Sequence, residues 1–115
     1  AGHLPPLWRR TDGRVFPLAD QTAELPLGVE CRTRYPKQTV SLSPGETVLI
    51  FTDGVPDAMN AAGQFYGLDR LIETVAAAPP AGEELIEAVV EDLHHFVGQH
   101  PATDDICMSC LRRLV

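Results

Sequence analysis

The stretch Glu46 to Gly54, ETVLIFTDG, constrains the fold of this chain most. Val48, Leu49, Ile50 and Phe51 make a β-branched and aromatic run of the length expected for a buried strand. Asp53 stands where that strand should emerge, and Gly54 lets the backbone turn without a Cβ clash. A carboxylate carried by a rigid buried strand to the edge of a core is well placed to hold a metal. The plainer alternative is a strand and a turn, with Asp-Gly present because it makes turns.

A second acidic pair bears on that choice. TDDIC, Thr103 to Cys107, puts Asp104 and Asp105 just ahead of a last strand expected from Asp105 to about Leu111. If the two strands are antiparallel neighbours, the end of the first and the start of the second meet at one edge of the sheet. Carboxylates gathered there repel unless something neutralises them. A divalent cation would do so, and an all-oxygen donor set suits Mg²⁺ or Mn²⁺. The alternative is two unrelated loop acids.

The remaining elements follow in order. Leu4–Arg10 reads as a turn running into a strand, and Val15–Leu18 as its hairpin partner across Thr11-Asp12-Gly13-Arg14. Pro17 puts that partner at an edge. Ala19–Glu30 is polar before a tight turn bracketed by Pro26 and Gly28. Arg32–Ser41 is a candidate strand weakened by Pro36, and SPGE, Ser43–Glu46, has the residues of a type II turn. Pro56 could start a short helix over Asp57–Asn60, with Gly63 interrupting it.

Leu68, Leu71, Ile72 and Val75 share one helical face, and Pro79-Pro80 ends that helix. Gly82–Val97 is the best-defined helix. Its apolar stripe runs Leu85, Ile86, Val89, Val90, Leu93, Phe96 and Val97. Acids crowd its start, His94 and His95 its end, and Gly98 follows as a stop. This order points to an α+β chain, with helices on one face of a mostly antiparallel sheet.

With 115 residues the chain is long enough for one small domain with a real core. Its 16 acidic against 9 basic side chains give a net charge of -7, which makes nucleic acid an unsuitable partner. No run reaches a membrane span. The opening AGHLPPLWRR has no initiator Met and no apolar segment of signal-peptide length, and reads as a cut into the middle of a longer protein. Three cysteines, Cys31, Cys107 and Cys110, suit a reducing, cytoplasmic setting. On a strand, Cys107 and Cys110 would point to opposite faces, so buried thiols acting as small apolar groups are expected rather than a redox pair. His94 and His95 are adjacent and cannot share a helix face. Glu91 and His94 have the spacing of a metal helix, but such sites need two of these helices.

Five segments stand in an order that carries a resemblance: AGHLPPL (Ala1–Leu7), PLGV (Pro26–Val29), SPGETVLIFTDGVPDAMN (Ser43–Asn60), FYGLDRL (Phe65–Leu71) and TDDICMSCL (Thr103–Leu111). Together they resemble the C-terminal part of SpoIIE-type bacterial serine/threonine phosphatases of the PPM family, whose other branch is the type-2C phosphatases. The resemblance spans nearly the whole chain. It implies a partial PPM-type β-sandwich flanked by α-helices, with strands contributed to both sheets. It also implies that residues 1–115 are the C-terminal portion of a single phosphatase domain.

The same resemblance implies metal-dependent removal of phosphate from phosphoserine or phosphothreonine. Two Mg²⁺ or Mn²⁺ ions would bridge an attacking water, and there is no phosphoenzyme. Asp53 and Asp104 match metal-ligand positions. Gly54, Asp105 and His3 match positions lining the site. The substrate of this subfamily is typically a phosphorylated anti-sigma-factor antagonist, and upstream sensory domains in the same chain are expected. The family's first-half acids, including the carboxylate that bridges both metals, have no counterpart here. The 115 residues alone are therefore expected to be inactive and to bind metal weakly. Within the matched part, Pro56 and Asp57 stand where relatives often carry Thr and Glu, and Cys107 where Thr or Ser is usual. Two other readings stand beside this one. One is a non-catalytic protein-binding module derived from the same fold. The other is a simple carboxylate metal-binding domain, which would hold Mn²⁺ tightly by itself.

Overall fold

The computed structural model describes residues 2–18, 25–101 and 104–115. Ala1, the polar segment Ala19–Glu24 and Thr103 of the TDD motif lie outside the described residues. The elements are β1 (Leu7–Arg9), β2 (Val15–Pro17), β3 (Thr47–Phe51), α1 (Leu68–Ala77), α2 (Gly82–Val97) and β4 (Met108–Arg112). The strands make one antiparallel sheet in the order β2-β1-β3-β4. Both helices lie against it, and the Cα extents are 44 × 39 × 18 Å, so the thin direction is one sheet plus one helix layer. The expected strands of a second sheet are not found among the described residues. What forms is one sheet of a sandwich with its helical layer.

Sequence explains the centre of this sheet. Thr47, Val48, Leu49 and Phe51 are buried, which the apolar run requires. Leu7, Leu49 and Phe51 meet Leu71 and Val75 of α1 and Leu85, Val89 and Leu93 of α2 in one core. Each fully buried side chain there contributes about 1.5–3 kcal/mol of transfer free energy. Pro17 of β2 pairs with Leu7 at the sheet's edge, where its missing N–H costs nothing. Arg9 crosses from β1 to donate to the carbonyls of Ala76 and Pro79, at 3.3 and 3.1 Å. That brings a cation to the C-terminal end of α1, which has no basic residue of its own there.

Three sequence expectations need correction. Arg32–Ser41 forms no strand. Its side chains are mostly exposed, and Pro36 removes a donor from the middle of any ladder. Asp57–Asn60 is not helical. Successive turns carry the chain from Thr52 to Ala58, with the Asp57 N–H on the Asp53 carbonyl at 2.9 Å. Met59 then bridges to Phe65. The Asn60 N–H donates to the Gln64 carbonyl at 3.0 Å, and the Asn60 side-chain oxygen accepts the N–H groups of Ala62 and Gln64, both at 3.0 Å, which closes a turn in place of a helix. Last, Cys107 and Cys110 are not both buried as expected: Cys107 is exposed, and Cys110 is half-buried beside Gly82. Burial still pushes the Cys110 thiol pKa up.

One acid is buried for structural reasons. The Glu46 side chain is 2% exposed, accepts the Ser43 N–H at 2.7 Å, and pairs with the Arg10 guanidinium at 2.5 Å. Arg10 also covers the Trp8 ring, 4.8 Å from its centroid. The pair closes the turn into β3. Arg10→Met strands a buried carboxylate and is expected to lower stability by about 2 kcal/mol. Urea midpoints of Arg10→Met, Glu46→Gln and the double variant check this, with the double variant costing less than the sum of the two.

Candidate functional site

The site begins with the register of β3 and β4. Their pairing runs from Thr47↔Arg112 to Phe51↔Met108, so the C-terminal end of β3 meets the N-terminal end of β4. The contact continues past both strands. The Thr52 N–H donates to the Cys107 carbonyl at 3.0 Å, and the Cys107 N–H donates to the Thr52 hydroxyl at 3.0 Å. That hydroxyl also lies 3.4 Å from the Asp105 carbonyl. Thr52 therefore staples the segment carrying Asp105 to the segment carrying Asp53. This also explains why β4 starts at Met108 rather than Asp105. Beyond Thr52 the β3 chain turns away, and the ladder has no partner.

Gly54 is buried and lies against the Asp105 backbone. A Cβ at Gly54 would be 2.2 Å from the Asp105 carbonyl oxygen. Its φ is not in the left-handed region. Lack of space, not turn geometry, requires glycine here, which corrects the sequence expectation. Asp53 and Asp104 are both exposed on either side of this close contact. One Asp104 carboxylate oxygen accepts the Asp105 N–H at 2.7 Å, which orients the group while its other oxygen stays available. Asp105 is exposed as well.

β1 is antiparallel to β3, with Leu7↔Leu49, so its N-terminal end points to the same edge. His3 precedes that end. It is exposed, and its Nδ1 lies 2.7 Å from the Leu4 carbonyl. Three strand ends thus converge on one edge and bring Asp53, Asp104 and Asp105 to it. Among the described residues no three His, Cys, Asp or Glu side chains gather as a metal cluster. The donor chemistry of this edge fits a hard divalent cation in kind, since both candidate ligands are carboxylates. It falls short in number, because six oxygens are needed and two carboxylates are offered.

A second polar cluster had no place in the sequence reading. The Arg70 guanidinium of α1 donates to both carboxylate oxygens of Asp92 of α2, at 2.8 and 2.9 Å. Tyr66 donates to Asp92 at 2.7 Å, and Thr74 lies 3.1 Å from the same oxygen. The Arg70 guanidinium covers the rings of Tyr66 and Phe96. The bond to Arg70 holds the Asp92 carboxyl well below the usual carboxylate range, and burial pushes the Tyr66 hydroxyl up to about 12. The signal was the i, i+4 spacing of Tyr66, Arg70 and Thr74, beside one acid next to a core leucine. These groups satisfy one another and lock α1 to α2.

Because the folded pKa of Asp92 is depressed, its stabilisation is present above the ordinary value near 3.8 and is lost as pH falls below it. The stability gap between the native chain and Asp92→Asn is therefore expected to be largest near neutral pH and to shrink below pH about 4. Chemical denaturation at several pH values checks this.

Comparison with known proteins settles the family. The family model for Stage II sporulation protein E (SpoIIE) matches residues 1–114. The chain belongs to the SpoIIE family. Protein IcfG of Synechocystis sp. is 27% identical over 113 residues, covering 98% of this chain. The solved SiaA-PP2C domain of Pseudomonas aeruginosa has a TM-score of 0.75 and 24% identity over 96% of this chain. A structure of the RsbU and RsbW domains of Rv1364c from Mycobacterium tuberculosis has a TM-score of 0.74 and 25% identity over 98% of it. The four-stranded sheet with two helices is a partial PP2C fold. The chain spans 18% of Protein IcfG, 44% of the SiaA-PP2C chain and 31% of the Rv1364c chain. No helix of the described residues is long and apolar enough to cross a membrane.

Proposed function

We propose that these 115 residues are the C-terminal portion of a phosphatase domain that removes phosphate from phosphoserine or phosphothreonine on a signalling protein. The observation that carries this reading is the β3–β4 register, which delivers Asp53 and Asp104 to one sheet edge. Family membership supports it. Asp53 and Asp104 would hold Mg²⁺ or Mn²⁺, with two ions expected in the full domain. Bound there, divalent ions acidify water and neutralise phosphoryl charge.

The chain's own part is positional. Thr52 and Gly54 fix the spacing of the two acidic segments, and the Asp105 N–H orients Asp104. Further metal ligands belong to the rest of the domain, as the short donor set here requires. The substrate class proposed is a phosphorylated anti-sigma-factor antagonist in the cytoplasm, with sensory domains elsewhere in the protein. Hydrolysis of a phosphoserine peptide with Mn²⁺ tests the reading in the full-length protein and in the isolated 115 residues. Turnover is expected from the first and not from the second. Equal rates would show that these residues need no other part. The alternative of a non-catalytic binding module expects turnover from neither.

A further inference from the structure

The same sheet edge has a feature that phosphate chemistry leaves unused. A recess of about 190 Å³ lies between the C-terminal turn of α2 and the strand ends. Its walls are largely apolar, from Ala58, Met59, Leu93, Val97 and Ile106. His94 and His100 complete them. Gly54 and Asp104 line the same recess, so it opens directly beside the edge assigned to the metal. Apolar cavities hold water poorly, and one of roughly 150 Å³ accommodates a benzene ring. A recess of this size therefore suits one medium or aromatic side chain rather than a solvent cluster. An extended peptide with its phosphoryl group at Asp53 and Asp104 would present the side chain two residues away on the same face, roughly 6.6 Å along, toward this opening, since successive side chains alternate between faces.

We propose that this recess sets substrate specificity by taking the apolar side chain of the residue two positions from the phosphorylated serine or threonine. The proposal rests on the phosphatase reading above. Met59 is the lining side chain through which its size can be varied. It is partly buried, it lines the recess, and it is held from outside by its bridge to Phe65. It contributes nothing to the acidic edge.

The test uses the full-length protein with Mn²⁺ and two kinds of substrate. One is free phosphoserine, which has no flanking residue and no ring to enter the recess. The other is a set of phosphoserine peptides carrying Ala, Leu, Phe, Trp, Asp or Lys two positions before or after the phosphoserine. Leu or Phe is expected to raise kcat/KM about tenfold or more over Ala at one of these two positions. Met59→Trp fills the recess and is expected to erase that preference while free phosphoserine turnover stays unchanged. Met59→Ala enlarges the recess and is expected to move the best residue toward Phe or Trp, a gain that misfolding does not produce. A flat peptide series, a preference for Asp or Lys, or a preference untouched by both variants overturns the pocket while leaving the phosphatase reading intact. No turnover of either substrate kind by the unaltered protein overturns the phosphatase reading and the pocket with it.

Discussion

Asp53→Asn in the full-length protein is expected to reduce phosphatase activity by more than about 100-fold. Residues that only support a metal ligand typically cost 10–100-fold when lost, so a direct ligand should cost more. The substitution keeps the shape of the side chain and removes its charge. Asp53 is exposed, and the hydrogen bond it contributes to the following turn comes from its backbone carbonyl. Stability should therefore change by no more than about 0.5 kcal/mol. Activity assays with Mn²⁺ and thermal unfolding of the same preparation separate the two effects. Normal activity in Asp53→Asn would remove the end of β3 from the site. An inactive variant that was also unfolded would point to a structural role instead.

Gly54→Ala is the second large effect, and it arises differently. The new methyl group would meet a backbone carbonyl, that of Asp105, at 2.2 Å. A backbone atom cannot rotate aside as a long side chain can. Either β3 or the Asp104–Asp105 segment must shift, and a cost of about 3 kcal/mol or more is expected. Because the shift separates the two acids, activity should fall together with stability. Gly63→Ala makes an informative contrast. It has open space around it but a φ of 76°, so it should cost only about 1–2 kcal/mol through backbone strain and leave activity nearly untouched. Comparable melting temperatures for the two variants would show that the close approach at Gly54 does not govern this edge.

Much of this architecture was legible before any coordinates. The bounds of α2 follow from its acid-rich start, its histidine end and Gly98, whose N–H bonds the His94 carbonyl. β3 follows from its apolar run, and β2 takes its edge position from Pro17. The order of the segments was enough to suggest the family. What was not legible depends on neighbours distant in sequence. Gly54 looks like a turn residue until Asp105, far along the chain, is placed against it. Asp92 looks like a helix-surface acid until Arg70 and Tyr66 of another segment close on it. The helix expected at Asp57–Asn60 gives way to a turn in which the Asn60 N–H bonds the Gln64 carbonyl and the Asn60 side chain accepts the amides of Ala62 and Gln64. Cys107 was expected to be buried as part of the last strand, yet it is exposed and β4 begins only after it. Likewise the sheet edge unites its acids only through the antiparallel register, which a one-dimensional pattern can suggest but not set.

Manganese binding to the full-length protein, counted by electron paramagnetic resonance, tests the proposed metal role of this sheet edge most directly. The unaltered protein is expected to bind two ions, and the double variant Asp53→Asn, Asp104→Asn to lose at least one while unfolding at a similar temperature. Unchanged stoichiometry and affinity in a folded double variant would contradict the assignment of this sheet edge to the metal.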